Sequence, residues 1–478
     1  MKSVFHMILV LIVSSSSAAN AQDFPSREQA EAALQKAVRF YRKNVGVQGG
    51  SVYRVSSDLK KREGETRVGP LEAWIEPPAT GAVGMAYVHA WKLTNLPVFK
   101  EAMLETADGL IRGQLESGGW GENIEFDPDL RPRYAYRVDP RTDSKNRKYH
   151  STFDDNKSQS SLQCLMLTDQ ALDFKNQQIH EAAMYALNAF VDAQYPNGAW
   201  PQRFPADAPN VENAQLKASF PDSWSRTYQK VSYSKFYTLN DNTISDLIRL
   251  MLIAHEIYQD DQWLDAAKRG GEFLLLAQLP EPQPGWAQQY NERMQPKWAR
   301  KFEPPAISGL ESQGAMEVLL LLYDKTGEER FLKPIPRALE YYRSIQFKDG
   351  QLARFYEMGT DKPLYFTRDY KLVYTDDDLP THYGFKVGSK LDRLESQYKS
   401  LRSKGPSKRS LIRSVRAPKM SESLAKRTAE VIRSLDQRGA WVQDGSMKNF
   451  DGVSKVIDTR TYTRNILTLA DFIAAAKK

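Results

Sequence analysis

The chain has 478 residues, of which 41% are hydrophobic and 26% are charged. This composition is that of a globular protein and excludes a disordered or wholly membrane-embedded chain. The 66 lysines and arginines against 59 acidic residues leave a formal net charge of +7. A mild basic excess suits a polyanionic partner, but charge alone does not separate nucleic acid, a membrane surface and an acidic polysaccharide.

The first residues have the pattern of a secretory signal peptide. Lys2 precedes an apolar stretch from Val4 to Val13, and Ala19-Asn20-Ala21 is a small-x-small cleavage site. The apolar stretch is too short to span a bilayer, and no later segment is long and apolar enough to do so. We therefore expect residues 1–21 to be removed. The mature protein, from Gln22, is then periplasmic or secreted, with neither nucleic acid nor membrane as a partner.

Cys164 is the only cysteine of the chain, so an intrachain disulfide is impossible. It lies within the apolar stretch Leu162–Leu167, which predicts a buried structural thiol rather than a nucleophile. An exported protein without disulfides fits a bacterial periplasm or secretion into the medium.

An internal repeat runs through the chain. Each copy is an amphipathic helix followed by a glutamine and a glycine-containing turn, which in most copies ends in tryptophan. The four clear copies are Phe99–Trp120, Ile179–Trp200, Trp263–Trp286 and Phe331–Leu352, with weaker ones near each end. The period of about seventy to ninety residues leaves room for a second helix per unit, as at Thr243–Tyr258 and Ser312–Tyr323. For most copies the tryptophan is expected to be structural.

A helix pair cannot bury its apolar face alone, so repeated pairs predict an all-α fold, an (α/α) toroid or incomplete barrel. We expect one such domain over residues 22–478, with few short strands, such as a hairpin around Val373–Phe385. Long aromatic-rich loops at one end would hold the functional site, within a motif-bearing core of about residues 118–385. The cation-rich stretch Lys399–Lys419 is expected to be an exposed, mobile linker.

Two clusters of Asp and Asn stand at the starts of predicted helices, Asp154-Asp155-Asn156 and Asn240-Asp241-Asn242. Each cluster alone is most simply a helix N-cap. At equivalent ends of successive repeats the two could converge, and grouped carboxylate and carboxamide oxygens are ligands suited to Ca²⁺. Zinc motifs, glycine-rich phosphate loops and a nucleophile elbow are absent from the sequence.

Arginines stand beside aromatic residues in two long loops, at Trp298-Ala299-Arg300 and at Ala353-Arg354-Phe355, and Arg368 follows. A guanidinium binds a carboxylate through two parallel hydrogen bonds and stacks on flat surfaces, so this pattern suits sugars that bear carboxylates. For any one of these arginines, ordinary surface ion pairing is an equally good interpretation.

At these residues the chain resembles the family-10 pectate lyases, also called polygalacturonate lyases. The resemblance runs from about Gly118 to Asp369, and more loosely to the C terminus, and it implies a helical toroid. Its most specific stretches are Gln194–Pro205, Thr238–Asn242, the run Trp286–Ser312 with its Ala-Arg and Glu-Pro-Pro, and Ala353–Pro363 followed by Thr367-Arg368-Asp369.

The resemblance implies Ca²⁺-dependent β-elimination of α-1,4-linked galacturonan, with polygalacturonate or oligogalacturonides as substrate. A base takes the proton at C5, next to the uronate carboxylate, and the 4-linked oxygen leaves. Carried over position by position, the site comprises a base, a metal site and substrate contacts: Arg300; Asp155, Asn156 and Asp241; and Arg354, Arg368, Asn240 and Trp120. A guanidinium normally stays protonated, with a pKa above about 12, so an arginine base requires a strong local perturbation. We expect a monomer.

Three features depart from the family's pattern. Ala199 replaces the second glycine of Gly-Gly-Trp, and Glu122 stands where the family's Trp-x-Lys-Asn pattern has lysine. The segments Asp127–Tyr149 and Ala206–Lys230 are longer than expected. These departures bear on chain-length preference and on the substrate-binding subsites more than on the reaction.

Other functions stay open at this point. One is an inverting glycoside hydrolase of the same fold, with Asp155 and Asp241 as its two carboxyl groups, which would lie about 6.5–9.5 Å apart. Another is a non-catalytic uronate-binding protein. A terpenoid cyclase, suggested by the Gln…Gly-Trp repeats, lacks an Asp-rich cyclase motif and fits poorly with secretion.

Overall fold

A computed structural model describes residues 24–140, 147–206 and 215–476 of the chain. The predicted signal peptide, residues 1–21, lies outside the described residues. Twelve α-helices form in the described part: α1 Arg27–Asn44, α2 Thr80–Thr94, α3 Pro97–Gly113, α4 Lys157–Ala171, α5 Gln177–Asp192, α6 Thr243–Tyr258, α7 Asp261–Ala277, α8 Glu311–Thr326, α9 Ile335–Ser344, α10 Leu391–Lys404, α11 Glu422–Arg433 and α12 Thr459–Ala475.

The helices pack in pairs as an α/α toroid, which confirms the predicted fold class. Helices α2, α4, α6, α8 and α12 line the inside, where α12 contacts α2 and successive contacts join α2, α4, α6 and α8. Helix α10 packs on α8 and α9 and buries only Leu391, Leu394 and Leu401. The odd-numbered helices pack outside them, with α3 on α2, α5 on α4 and α7 on α6. Inner helix α6 buries residues all round, from Ile244 to Ile257, as expected for a helix with neighbours on every side. Helix α6 has the predicted bounds, and α8 contains the predicted Ser312–Tyr323.

In three of the four clear repeats, the glutamine joins one helix pair to the next. The side-chain amide of Gln114 donates to the Gly118 carbonyl in its own turn and to the Ala182 carbonyl of α5, both at 3.0 Å. The same two-way bonding recurs in the next copies, from Gln194 to Gly198 and Ala266 and from Gln278 to Pro284 and Pro334. Each of these glutamines thereby ties its own turn to the helix pair that follows.

The tryptophans of the repeat are structural, as predicted. Each donates its indole N–H to a carbonyl near the end of its own helix: Trp120 to Leu110, Trp200 to Phe190, Trp286 to Leu274 and Trp441 to Val431. Trp120, Trp200 and Trp286 are fully buried. Each ring therefore closes its helix pair while its polar atom stays bonded.

The described residues also form sixteen short strands: β1 Arg54–Ser56, β2 Arg62–Glu63, β3 Glu72–Trp74, β4 Asn123–Glu125, β5 Ser151–Thr152, β6 Arg203–Phe204, β7 Tyr237–Thr238, β8 Gln289–Tyr290, β9 Ile307–Ser308, β10 Gln351–Ala353, β11 Phe355–Tyr356, β12 Tyr365–Phe366, β13 Leu372–Val373, β14 Lys386–Gly388, β15 Val442–Asp444 and β16 Lys455–Asp458. A four-stranded sheet in the order β15-β16-β1-β2 joins the two ends of the chain. The predicted hairpin around Val373–Phe385 is wrong, because β13 pairs with β12 and β14 pairs with β10.

Two further expectations have clear outcomes. Cys164 is fully buried and free, as predicted. The expected mobile linker differs from the structure: Lys399–Lys404 belong to α10, and the Ser407 backbone N–H donates to Asp324 at 2.6 Å. None of the described helices combines the length and the apolar character needed to cross a bilayer.

Candidate active site

The acidic clusters converge at one end of the inner helices. Helices α4 and α6 begin directly after Asp154-Asp155-Asn156 and Asn240-Asp241-Asn242, and each cluster follows a short strand, β5 or β7. One carboxylate oxygen each from Asp154, Asp155 and Asp241 lies within 4.8 Å of the others. The structure thus brings the two predicted clusters together and adds Asp154, which was not among the predicted ligands.

The two clusters share an unusual backbone conformation. Asp155 and Asn156 have φ values of 48° and 58°, and Asp241 and Asn242 have values of 50° and 59°. Consecutive left-handed residues other than glycine cost roughly 1–2 kcal/mol each, although Asp and Asn tolerate this region best. Neither Asn156 nor Asn242, at the N-cap positions, makes a side-chain capping bond. The simple N-cap interpretation of these clusters is therefore wrong.

Asp241 is the most perturbed carboxyl group of the cluster. Burial and the neighbouring charges of Asp155 and Asp154 raise its pKa to about 8, and the positive charge of Arg300 opposes that rise. The Asn240 amide donates to Asp241 Oδ2 at 2.5 Å, and the Asn240 side chain is almost fully buried. Asn240 therefore positions Asp241 in this structure, rather than facing a substrate as predicted.

A buried lysine that the sequence analysis missed lies beside the cluster. The side chain of Lys157 is only 1% exposed, and its Nζ lies 3.0 Å from Glu76, 3.3 Å from Glu122 and 3.3 Å from Asp155. Burial lowers the pKa of Lys157, but the surrounding carboxylates raise it above its usual value. Glu122, which replaces a lysine of the family's pattern, is thus the partner of a lysine that arrives from helix α4.

Arg300 lies near Asp241, and a buried glutamate holds its side chain in place. Its Nε and Nη2 donate to the two carboxylate oxygens of Glu303, at 2.8 and 2.5 Å, and Glu303 is fully buried. Its Nη2 also lies 3.9 Å from Asp241. Burial lowers the pKa of the Arg300 guanidinium, but the bonds and charge of Glu303, with the charge of Asp241, raise it above its usual range.

Tyr383 lies between Arg300 and Arg354. The guanidinium carbons of Arg300 and Arg354 lie 5.7 and 4.3 Å from its ring centre, and its hydroxyl donates to Glu303 at 3.1 Å. Arg354 is mostly buried, with Nη2 3.4 Å from Glu311 and its Nε without a hydrogen-bond partner. The structure therefore places Arg354 beside the predicted base.

Two predicted substrate contacts lie elsewhere. Arg368 has a side chain that is 71% exposed and pairs with Asp378 at 3.2 Å, on the loop after β12. Trp120 has no exposed surface, and its indole N–H is bonded to Leu110. The predicted substrate contact at Trp120 is therefore replaced by a structural role, and Arg368 lies at the rim.

An aromatic cluster holds the arginine loops in place. Its buried members are Trp298, Phe302, Ala306, Phe355, Leu364, Tyr365, Phe366 and Phe385. The indole N–H of Trp298 donates to the Ser225 carbonyl, which ties the longer segment Ala206–Lys230 to this cluster. Arg300 and Arg354 are therefore presented by packed loops, which fixes their separation.

The described residues thus form a toroid of helix pairs, with carboxylates at the starts of inner helices and arginines on neighbouring loops. The model of the pectic acid lyase family matches residues 114–352, which is half of the chain. The chain belongs to this family, and its enzymatic class is pectate lyase. The matched range contains Asp155, Asp241 and Arg300 and ends two residues before Arg354.

Solved structures with similar folds include a family-10 polysaccharide lyase from Cellvibrio cellulosa, with 19% identity, a TM-score of 0.46, and coverage of 63% of this chain and 91% of that one. A mutant of that enzyme in complex with trigalacturonic acid is 18% identical, with a TM-score of 0.46 and coverage of 68% and 98%. A GH76 α-mannanase from Bacteroides thetaiotaomicron is 12% identical, with a TM-score of 0.40 and coverage of 94% and 96%. No curated protein matches the chain significantly.

Proposed function

We propose that this protein is an exported, monomeric enzyme that cleaves polygalacturonate by calcium-assisted β-elimination, with Arg300 as the base. The observation that supports this most strongly is the placement of Arg300, whose Nη2 lies 3.9 Å from one of three converging carboxylates. Elimination next to a uronate carboxylate builds up negative charge, and a cation beside an arginine is an arrangement that stabilises such charge.

The residues at the acidic cluster fit a hard divalent cation. Asp154, Asp155 and Asp241 offer only oxygen donors, which Ca²⁺ prefers, and burial, together with the charges of Asp155 and Asp154, raises the pKa of Asp241 to about 8. Asn156, next to Asp155, is proposed as a further ligand. When bound, Ca²⁺ would engage the uronate carboxylate and stabilise the charge that forms as the C5 proton leaves.

The remaining steps belong to residues of the chain. The neutral form of Arg300 accepts the C5 proton, the electrons of that C–H bond form the C4–C5 double bond, and the bond from C4 to the leaving oxygen breaks. The leaving oxygen takes a proton from solvent. Glu303 orients the guanidinium through its two hydrogen bonds. Arg354, next to Tyr383, is placed to bind a substrate carboxylate, and Arg368 is proposed to bind one at the rim.

The spacing of the carboxylates argues against an inverting hydrolase. Such an enzyme needs about 6.5–9.5 Å between its two carboxyl groups, so that a water molecule fits between them and the sugar. Oxygens of Asp155 and Asp241 lie within 4.8 Å. This separation suits two ligands of one cation better than an acid and a base on opposite faces of a sugar ring.

The decisive test is to incubate the purified protein with polygalacturonate, with Ca²⁺ or with EDTA, and to follow the ultraviolet absorbance of the unsaturated product. We expect an absorbance increase that EDTA abolishes. Arg300→Ala should lose turnover by at least about a hundredfold and keep substrate binding in calorimetry. Arg330→Ala is the matched control, because Arg330 is equally exposed at 39% and pairs with Glu272 and Glu328, away from the site.

Two results would contradict the proposal. New reducing ends without the chromophore would show a hydrolase. Binding of polygalacturonate without any product at neutral or alkaline pH would show a uronate-binding protein.

A further inference from the structure

A groove opens beside the acidic cluster, with Glu122, Thr152 and Arg203 in its wall. It consists of two adjoining cavities of about 330 and 490 Å³, which share Tyr149, His150 and Arg203 as walls. Lys148 lines the first cavity and Lys235 the second. We call this the lateral groove, and none of the roles described above uses it.

The lateral groove is continuous with the site. Arg203, on β6, pairs with Thr152, on β5, two residues before Asp154. The residue before Arg203 is Gln202, whose amide donates to Asp154 at 2.9 Å. Arg203 is thus a wall of the groove and stands next to a side chain that is bonded to the cluster.

The chemistry of the lateral groove suits acidic sugars. Tyr149 is 47% exposed, and its ring packs against that of His150, with centres 4.0 Å apart and planes tilted by 35°. The exposed Tyr149 ring offers apolar surface on which a sugar ring can pack. Lys148 and Arg203 add positive charges beside it, and the Arg203 side chain is 54% exposed. The acidic residue in the wall, Glu122, is already paired with Lys157 at 3.3 Å and with Arg203 at 3.7 Å.

One wall of the lateral groove is the longer segment Asp127–Tyr149, whose described residues are firmly packed. Tyr134 and Tyr136 stack with ring centres 5.2 Å apart, and Arg131 lies 4.2 Å above the Tyr136 ring. The backbone of Lys148 bonds to that of Arg133 and Ala135, at 2.8 and 2.9 Å. The position of Lys148 and Tyr149 is therefore fixed before any ligand arrives, which lowers the entropic cost of binding.

We propose that the lateral groove binds uronate units of the substrate beyond those at the cleavage site, and so makes the enzyme prefer long chains. This inference rests on the proposed function, because it takes the same acidic polysaccharide as ligand. The segment Asp127–Tyr149, which is longer than the family's pattern, then determines which chain lengths the enzyme prefers. Short oligogalacturonides, which end before the groove, gain nothing from it.

The test is the double variant Lys148→Ala/Tyr149→Ala, assayed for kcat/KM on polygalacturonate and on the galacturonate trimer. Both side chains are exposed, so the fold is expected to persist. The ratio of kcat/KM on the polymer to that on the trimer should fall about tenfold. Lys175→Ala is the control, since Lys175 is 79% exposed and follows the far end of α4, about 22 Å from the cluster. An unchanged ratio would overturn the inference.

A binding measurement separates this inference from the proposed function. In an Arg300→Ala background, calorimetry with galacturonate hexamer and trimer should show that the double variant weakens hexamer binding about tenfold more than trimer binding. If the wild-type protein gives no unsaturated product, the proposed function fails, and this affinity ratio alone decides on the groove. Equal weakening of both ligands would overturn the groove and leave the lyase function standing.

Discussion

Arg300 meets two opposing requirements. Its two hydrogen bonds to Glu303 fix the orientation that proton transfer needs, since a base must lie within hydrogen-bond reach of the proton it takes. The same carboxylate raises the pKa of Arg300 and holds the guanidinium protonated. A base of this kind acts only in its neutral form. While the pH is below its pKa, the neutral fraction increases tenfold for each unit by which the pH increases. A lyase with Arg300 as its base is therefore expected to gain activity as the pH rises.

We expect log kcat/KM to rise with a slope of about 1 per pH unit through the alkaline range until the protein unfolds. Glu303→Gln removes the negative charge, so the pKa of Arg300 falls and the alkaline rise moves to lower pH. The maximum rate falls as well, because the amide accepts through one oxygen only. A pH profile of kcat/KM for the wild type and the variant measures both effects.

Glu357→Gln is the control for that profile. Glu357 is a buried glutamate in the same set of loops, but its arginine partner is Arg226, at 2.6 Å. Its replacement should leave the position of the alkaline rise unchanged. If Glu303→Gln lowers the rate without moving the profile, Glu303 only orients Arg300.

At the scale of elements, the repeated Gln-turn-Trp unit joins helix pairs that local propensity alone would not hold in register. Gln114 is fully buried; its amide bonds to two carbonyls, and its oxygen accepts from Arg137 at 3.0 Å. Gln346, in the last clear copy, bonds to Gly350 in its own turn and is partly exposed. The glutamine of the repeat is therefore expected to contribute more to stability at Gln114 than at Gln346.

Gln114→Ala should lower the free energy of unfolding by about 2 kcal/mol, because it removes three buried or part-buried hydrogen bonds, to the Gly118 and Ala182 carbonyls and from Arg137 Nε. Gln346→Ala, the matched control, should cost less than about 1 kcal/mol, since water replaces its partner. Urea denaturation of the two variants gives both values. Equal losses would show that the turn itself, and not the link between helix pairs, is what the glutamine stabilises.

At the scale of the whole molecule, the helix-pair toroid could be predicted because its cause is periodic and local. The closure of the chain could not: β1 and β16 pair across the two ends, with Arg54 Nε 2.8 Å from Asp458, 404 residues away. Nothing in the sequence of either strand indicates that it pairs with the other. The sheet that joins the ends therefore depends on the completed toroid.

The site divides in the same way. Asp155, Asp241 and Arg300 could be predicted, because repeats bring equivalent ends together and the arginine stands in a specific motif. Lys157 and Glu303 could not be assigned, since each is an ordinary charged residue until the fold encloses it among Glu76 and Glu122, or beneath Arg300. Trp120 was predicted to contact the substrate, but its side chain is fully buried. Residue type can be read from the sequence, whereas exposure depends on how the molecule packs.

The acidic cluster also links metal binding to the stability of the whole molecule. Three carboxylates within 4.8 Å repel one another, and a cation that binds only the folded chain stabilises it by about 2.7 kcal/mol at a hundred times its Kd. CaCl₂ should therefore raise the Tm in differential scanning calorimetry, and EDTA should reverse the increase.

Asp241→Asn should remove the response to CaCl₂ because it removes one ligand charge. In EDTA at neutral pH it should be about as stable as the wild type, because a carboxyl group with a pKa of about 8 is already mostly uncharged there. Asp376→Asn is the control: Asp376 pairs with Lys386 at 2.5 Å and lies outside the cluster. Its Tm should keep the full response to CaCl₂. If the wild-type Tm does not change with CaCl₂, or if Asp241→Asn keeps the response, the three carboxylates do not form the cation site, and their shared position at the start of two inner helices requires another explanation.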